Sequence, residues 1–258
     1  MTTQIEKAQT LAALHAAPEI LSVVNVWDVV SAKTIAALPG TKALATAGHS
    51  IAATFGYEDG ENIPLELMLD MVRRIAESTD LPVSADLDSG FGNPGETARK
   101  AIAAGAVGAN MEDRLRPLSD SVAAVAAVIA AGEAEGVPFV LNARTDAFVR
   151  AGDRPLEESI ADAITRGRAY LDAGADIVFV PGILDADVTR QLVEGIGERK
   201  ISVIGLPGSL SSREYQDLGV ARMSYGPMTQ RVALTALQDV ASELYGGGVI
   251  PASTRALN

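Results

Sequence analysis

Residues 82–113 read PVSADLDSGFGNPGETARKAIAAGAVGANMED, and the order of patterns in this stretch decides the fold. A short apolar run at 82–85 ends in two carboxylates and two glycines, which is typical of a strand that leads into a loop. Helical periodicity follows over 94–104, and Gly105 suits the left-handed cap that ends a helix. A second apolar run at 106–111 completes a β–α–β unit and predicts neighbouring parallel strands.

The same alternation runs through the whole chain. Apolar runs that predict strands occur at 21–26, 42–47, 82–85, 106–111, 137–142, 176–180, 201–204 and 220–224. Segments that predict helices lie at 29–38, 64–78, 94–104, 119–135, 156–173, 186–197, 211–217 and 228–245, with an extra helix near 4–16. Eight strand–helix units without a long linker predict one α/β domain over 1–258, a (β/α)8 TIM barrel. A doubly wound open sheet is the alternative.

Composition excludes several classes of protein. The chain has no cysteine, so disulfides, thiolate zinc sites and cysteine nucleophiles are excluded. Its 258 residues carry a net charge of −12, which disfavours nucleic acid as a partner. No apolar stretch approaches the roughly 18 residues of a membrane span, and the first residues, MTTQIEKAQT, do not resemble a signal peptide. We therefore expect a cytoplasmic protein without a membrane partner.

Carboxylates gather at the ends of two neighbouring predicted strands. Asp86 and Asp88 follow one strand, and Glu112 follows the next. In a barrel these ends meet at one mouth, where several acids repel one another unless a cation lies among them. Oxygen ligands in a chain without cysteine favour Mg²⁺ or Mn²⁺ over zinc. The acid pair has a second interpretation, because Asp88 or Asn93 would suit the cap of the next helix.

Two further polar residues follow predicted strands. Arg144, in NARTDAF, carries a guanidinium that suits a substrate carboxylate or phosphoryl group, although a structural salt bridge to Asp146 explains it equally well. His49, in TAGHS, either exchanges protons near neutral pH or has a structural role. The segment 55–64, FGYEDGENIP, is either a lid over the site or a solvated turn.

Taken together, these motifs resemble the isocitrate lyase/phosphoenolpyruvate mutase superfamily over residues 20–230. The resemblance rests on the order and spacing of NVWDVVSA (25–32), ATAGHSIAATFGYEDGE (45–61), LPVSADLDSGFGNP (81–94), AGAVGANMED (104–113) and VLNARTDAF (140–148). It implies a (β/α)8 barrel with one Mg²⁺ at its mouth. It also implies C–C or P–C bond chemistry beside an oxo-acid, through an enolate of the pyruvate type.

The resemblance assigns roles to individual residues. Asp86, Asp88 and Glu112 would surround the metal, some of them through water. Arg144 would bind the substrate carboxylate together with the backbone amides of Gly48 and His49. The other residues that it places in the active site are Asp59, near the metal, and Trp27, Thr46, Ala47 and Ser202, around the substrate. Members usually form tetramers in which the last helix is exchanged, so we expect a homo-oligomer, a tetramer or a dimer, built on 228–245.

Several departures from the family pattern bear on the substrate. The Lys-x-Cys-Gly-His loop of isocitrate and methylisocitrate lyases is absent, because MEDRLRPLSDS runs directly into the next helix. The longer insertion of the phosphonomutases is also absent. Ala47, His49 and Ser202 replace residues that are usual at these positions. The short loop predicts an open site and a small substrate.

The favoured function is a Mg²⁺-dependent lyase or decarboxylase that acts on a small 2-oxo or 2-hydroxy dicarboxylic acid. Three alternatives remain from the sequence. One is a phosphonate P–C bond mutase or hydrolase, the second is a barrel that binds an oxo-acid without turnover, and the third is a phosphate-binding isomerase barrel. The acid cluster disfavours the last one, because it would repel phosphate in the absence of a metal.

Overall fold

The structure is a computed structural model that describes residues 2–257. Over this range nine parallel strands alternate with ten helices. The strands are β1 Leu21–Val23, β2 Asn25–Val26, β3 Leu44–Thr46, β4 Val83–Asp86, β5 Gly108–Glu112, β6 Val140–Arg144, β7 Ile177–Phe179, β8 Ile201–Ile204 and β9 Arg222–Ser224. The helices are α1 Gln4–Ala16, α2 Val29–Ala36, α3 Gly48–Thr54, α4 Leu65–Glu77, α5 Pro94–Ala103, α6 Leu118–Ala134, α7 Leu156–Asp172, α8 Ala186–Ile196, α9 Ser212–Asp217 and α10 Met228–Tyr245.

The sheet closes on itself, which confirms the barrel and excludes the open sheet. The predicted strand over 21–26 is divided at Val24, and its two halves pair on opposite sides. In β1, Leu21 is in register with Arg222 of β9, and in β2, Asn25 is in register with Ala45 of β3. The two halves therefore join the ends of the strand order β1-β9-β8-β7-β6-β5-β4-β3-β2.

The extra helix α1 closes the amino-terminal end of the barrel. Its Leu11 is fully buried and packs against Gly108 and Val140, the first residues of β5 and β6. A Cβ at position 108 would lie 2.6 Å from the Val140 carbonyl oxygen and 2.8 Å from Leu11 Cδ2, so only glycine fits there. Gln4 Nε2 also donates to the carbonyls of Ile102 and Ala106 at 2.7 and 3.0 Å. The opposite, carboxyl end is left for the site.

Helix α3 was not predicted. It starts at Gly48, soon after β3, and lies between the predicted strand at 42–47 and the segment 55–64. Its backbone places Gly48 and His49 in the first turn, next to the end of β4. This arrangement determines what the two amides can bind.

The last helix, α10, packs poorly on the barrel. Of its residues only Gln230 is buried, and Gln230 Nε2 donates to the Ser50 carbonyl at 3.1 Å. Val232 and Leu237 are 67% and 61% exposed, and a mostly apolar groove of about 530 Å³ runs between α10 and α2. In the described part of the chain, no helix combines the length and apolar character needed to cross a membrane.

Candidate active site

A cavity of about 540 Å³ opens at the carboxyl end of the barrel. The structure brings six of the sequence-predicted site residues to its wall, namely His49, Asp59, Asp86, Asp88, Glu112 and Arg144. They come from β4, β5, β6 and the segment after β3, so strand ends far apart in sequence supply one site.

Three carboxylates form an acid cluster, defined here as Asp86, Asp88 and Glu112. Asp88 has a left-handed backbone with φ of 47°, and its carbonyl accepts the Glu112 N–H at 2.7 Å, which fixes the loop after β4 against the end of β5. Burial, together with the charges of Asp86 and Glu112, raises the pKa of Asp88 to about 8. Burial also raises the pKa values of Asp86 and Glu112. The cluster therefore holds negative charge at a cost that a cation would relieve.

Helix α5 is capped by Asn93 and not by Asp88. Its side-chain oxygen accepts the Glu96 N–H at 3.2 Å and caps α5, while Pro94 takes the first helical position. Gly90 has φ of 95°, and a Cβ there would lie 2.8 Å from Pro94 Cα. The loop thus needs Gly90 to turn back into α5, and Asp88 stays at the cavity.

Asp86 is oriented by the neighbouring strand. The Gly48 N–H donates to Asp86 Oδ2 at 2.9 Å, and the Asp86 N–H donates to Thr46 Oγ1 at 2.9 Å. A Cβ at Gly48 would lie 3.1 Å from Asp86 Oδ2, so a larger residue would push the Asp86 side chain by a few tenths of an ångström. In this structure the Gly48 amide therefore binds Asp86, and its binding of a substrate carboxylate stays a prediction.

Arg144 lies beside the acid cluster and is held from two sides. Its Nη1 is 2.8 Å from Glu112 Oε2, and its Nε donates to Asp146 Oδ1 at 2.7 Å. The guanidinium carbon lies 6.0 Å from the centre of the Phe179 ring. Arg144 therefore makes the structural salt bridge to Asp146 and also lines the cavity as a cation, while its binding of a substrate carboxylate stays a prediction.

Arg114 is a cavity residue that the sequence analysis missed. Its Nε donates to Glu112 Oε1 at 3.1 Å, and its Nη2 lies 3.3 Å from Glu61 Oε2. The two oxygens of Glu112 thus face two different arginines, Arg114 and Arg144. The position directly after the Glu-Asp motif was the only sequence signal for Arg114.

Glu61, also missed, ties the segment 55–64 to the loop after β4. Its Oε1 accepts the N–H groups of Ser89 and Phe91 at 3.0 and 2.7 Å and the Ser89 hydroxyl at 2.8 Å. In the same segment Asp59 Oδ2 lies 3.4 Å from His49 Nδ1. The segment 55–64 therefore covers one side of the cavity and carries an acid that contacts His49.

Five of the residues assigned to the substrate do not line this cavity. Trp27 lies in the groove between α2 and α10, and Ala47 is buried at the start of α3. Thr46 and Gly48 bind Asp86, as described above. Ser202 is fully buried and faces the barrel interior below the cavity. Ser202 and Ile204 lie two residues apart and therefore face the same, interior side of β8, and Ile204, nearer the carboxyl end, is the one that lines the cavity.

A polar layer fills the barrel interior below the acid cluster. Asn142 Nδ2 donates to Asn110 Oδ1 at 2.7 Å and to Ser202 Oγ at 3.3 Å. Arg222 is 1% exposed, and its Nη1 donates to Ser84 Oγ at 3.3 Å. Within residues 2–257, Arg222 Nε and Nη2 find no hydrogen-bond partner, and burial lowers the pKa of Arg222 to about 10. A buried cation thus lies beneath the acidic mouth.

The donor set of the mouth fits a hard divalent cation. The acid cluster offers carboxylate oxygens, and burial raises their pKa values, an effect that a bound cation would oppose. In residues 2–257 no three acidic or imidazole side chains come together as a complete metal site. Mg²⁺ needs only one or two direct carboxylates and keeps several waters, so a pair of acids with water satisfies it.

Asp113 of the Glu-Asp motif has a structural role. It points away from the cavity, where its Oδ2 accepts the Tyr170 hydroxyl at 2.6 Å and Arg166 Nη1 at 3.2 Å. Its Oδ1 accepts the N–H groups of Leu115 and Asp146 at 2.9 and 3.0 Å. This buried network anchors α7 and the loop after β6 to the end of β5.

Known proteins share this architecture. A Burkholderia cenocepacia J2315 protein, provisionally assigned as a phosphonomutase, has a crystal structure that superimposes with a TM-score of 0.86 at 36% identity, covering 95% of this chain and all of that one. Oxaloacetate acetylhydrolase in complex with its product oxalate gives 0.84 at 25% identity, covering 95% and 89% of the two chains. The 2-methylisocitrate lyase of Bacillus subtilis (strain 168) is 27% identical over 252 residues, which are 92% of this chain and 81% of that enzyme.

A sequence model of the phosphoenolpyruvate phosphomutase family matches residues 11–245, nearly the whole barrel. The match includes every residue of the acid cluster and Arg144. The chain therefore belongs to the phosphoenolpyruvate phosphomutase family, within the phosphoenolpyruvate mutase/isocitrate lyase superfamily.

Proposed function

We propose that this chain is a Mg²⁺-dependent lyase or decarboxylase that cleaves a C–C bond of a small 2-oxo or 2-hydroxy dicarboxylic acid. One observation carries the proposal: the acid cluster and Arg144 line the same cavity. A cation site and a fixed guanidinium side by side suit a substrate that carries a carboxylate next to an oxo or hydroxyl oxygen. The related 2-methylisocitrate lyase and oxaloacetate acetylhydrolase support the reaction class by their names. The proposal keeps the cytoplasmic location expected from the sequence.

The residues divide the work as follows. Asp86, Asp88 and Glu112 would hold Mg²⁺, directly or through water, and Mg²⁺ supplies positive charge where negative charge develops on an oxo-acid. Arg144 binds the substrate carboxylate and keeps its charge, because Glu112 and Asp146 raise its pKa against the effect of burial. Both groups favour the enolate over the uncleaved acid.

His49 and Asp59 are the candidates for proton transfer. In a 2-hydroxy acid a base removes the hydroxyl proton, the C–C bond breaks, and its electron pair leaves as an enolate that later takes up a proton on carbon. His49 faces the cavity with its Nδ1 beside Asp59, so the imidazole is oriented and able to exchange a proton at this point. In a 2-oxo diacid the C–C bond to the remote carboxylate breaks instead, carbon dioxide leaves, and the electron pair stays on the remaining fragment as the enolate of its own 2-oxo group, which then takes up a proton on carbon.

Phosphonate chemistry is the second candidate, favoured by the matched family. It would use the same enolate, with a P–C bond in place of the C–C bond. A change in the ³¹P resonance of phosphonopyruvate on incubation with the protein and Mg²⁺ would identify it.

The proposed oligomer rests on α10. A helix that buries only Gln230 and exposes Val232, Leu234 and Leu237 needs a partner surface, and exchange of α10 between subunits would supply one. Light scattering on the protein and on Leu237→Asp tests this. We expect a tetramer or dimer that dissociates in the variant, and a monomeric parent protein would contradict it.

The function is tested by assaying release of a 2-oxo acid from a panel of oxo and hydroxy diacids. We expect release with Mg²⁺, none with EDTA, and at least a hundredfold loss in Asp88→Ala. Asp217→Ala, which removes an exposed acid on α9, is the matched control and should behave as the parent. Equal turnover in EDTA, or no turnover across the panel, would contradict the proposal.

A further inference from the structure

The cavity wall has a charged half and an apolar half. The charged half is formed by the ends of β4, β5 and β6, with the acid cluster and Arg144. The apolar half is formed by Phe179 and Pro181 after β7 and by Ile204 and Leu206 after β8. With β1 and β2 counted as one divided strand, β4 and β8 are four positions apart in a ring of eight. The apolar half therefore faces Asp86 and Asp88 across the mouth.

The two halves meet at Arg144. Its guanidinium lies 6.0 Å from the centre of the Phe179 ring, on the adjacent strand β7. A substrate whose carboxylate binds Arg144 has the acid cluster on one side and the Phe179 wall on the other. Whatever extends from the reacting carbons toward β7 and β8 meets carbon atoms rather than charges.

The volume of the cavity also indicates a ligand larger than a four-carbon diacid. At about 540 Å³ it lies within the range of sites that enclose drug-sized ligands, well above the need of a four-carbon diacid. The short loop after β5 had predicted a small substrate. The room comes instead from the side of β7 to β9, where Gly182 after β7 and Pro227 after β9 leave the wall without long side chains.

We propose that the natural substrate carries an alkyl or aryl substituent, which packs against Phe179, Pro181, Ile204 and Leu206 while its oxo-acid part binds at Arg144 and the acid cluster. This inference rests on the proposed function and narrows its substrate class. Burial of each methylene of the substituent should tighten binding about fourfold, because that is the equilibrium factor for moving one methylene from water to an apolar environment.

The test is calorimetric titration of the full-length protein in Mg²⁺ with oxalate and with the unbranched series pyruvate, 2-oxobutanoate, 2-oxopentanoate and 2-oxohexanoate. Oxalate has no substituent and reports on the charged half alone. We expect oxalate to bind and the affinity of the 2-oxo acids to rise about fourfold per methylene. Oxalate binding with affinities that stay level or fall along the series would overturn this inference and leave the proposed function standing. Failure of oxalate itself to bind would overturn both.

Two variants locate the effect. Leu206→Asn should reduce the increase in affinity per methylene while leaving oxalate affinity within twofold. Leu38→Asn, at an exposed leucine remote from the cavity, should change neither the increase per methylene nor the oxalate affinity. Leu206→Ala serves the same purpose if the asparagine variant does not fold, and oxalate binding verifies that either variant is intact. An unchanged rise in the Leu206 variants would place the substituent elsewhere and refute the assignment.

Discussion

Replacing Arg222 by methionine should make the protein more stable. Arg222 lies 1% exposed in the barrel interior, with one hydrogen bond to Ser84 and two nitrogens that have no partner. The negative charge of Asp86 favours the charged form of Arg222. Burial has the larger, opposite effect and lowers the pKa of Arg222 to about 10. A buried charge that is incompletely paired destabilises the folded state, and an apolar side chain of similar length removes that cost.

The magnitude follows from the pKa. A fall from 12.5 to about 10 corresponds to about 3 kcal/mol of disfavoured charge, at ~1.4 kcal/mol per pKa unit. Loss of the hydrogen bond to Ser84 returns about 1 kcal/mol. The net gain of about 2 kcal/mol should raise the Tm by roughly 4–8 °C for a chain of this size.

Thermal unfolding followed by circular dichroism, in the absence of metal, measures the effect. Arg222→Lys is the control, because it keeps a buried cation and should show no gain. A Tm of Arg222→Met below that of the parent would refute the reasoning, since the guanidinium would then be a net stabiliser. A gain would indicate that Arg222 is kept for its charge beneath the mouth rather than for stability.

Two further predictions concern buried groups outside the cavity. His15 has no hydrogen-bond partner, and burial, with Arg222 and Arg199 nearby, holds its pKa well below 6.5. The unfolded chain therefore takes up a proton that the folded chain does not, so stability should fall by up to ~1.4 kcal/mol per pH unit below about pH 6.5. Urea unfolding between pH 5 and 7 should show this slope in the parent and a shallower one in His15→Leu; equal slopes would contradict it. Asp113→Ala should cost about 1–3 kcal/mol in urea unfolding at pH 7, because it leaves the Tyr170 hydroxyl buried without its acceptor, while Arg166 keeps Asp162 and the Arg116 carbonyl. A cost below 1 kcal/mol would show that the network is dispensable.

Most of the fold was predictable because its signals are local. Apolar runs, helical periodicity and glycines after helices marked eight strand–helix units, and the barrel is the arrangement that closes them. The division of the first strand at Val24 was not predictable, since it depends on which neighbours each half meets. Helix α3 was missed because TAGHSIAATFG combines small residues and glycines that suit a loop as well as a helix.

The site was predictable as far as strand ends determine it. Asp86, Asp88, Glu112 and Arg144 follow strands, so they had to meet at the mouth of a barrel. Arg114 and Glu61 escaped because their pairing depends on side-chain geometry between two loops. The depth of Ser202 below the cavity wall was also not predictable, because Ser202 and Ile204 lie two residues apart and face the same side of β8.

The apolar half of the cavity could not be predicted from the sequence either. Phe179 and Ile204 end strands whose residues all suggest core, so the sequence does not distinguish a residue that packs inside from one that faces the mouth. Only the closed barrel places them across from the acid cluster.

The most direct measurement of the central claim is a crystal structure of the protein soaked with Mn²⁺ and oxalate, with data collected for the anomalous signal of manganese. The account predicts an anomalous peak within the acid cluster and oxalate density between that peak and Arg144. A peak elsewhere in the molecule, or oxalate held at the mouth without any metal, would contradict a metal-dependent oxo-acid site.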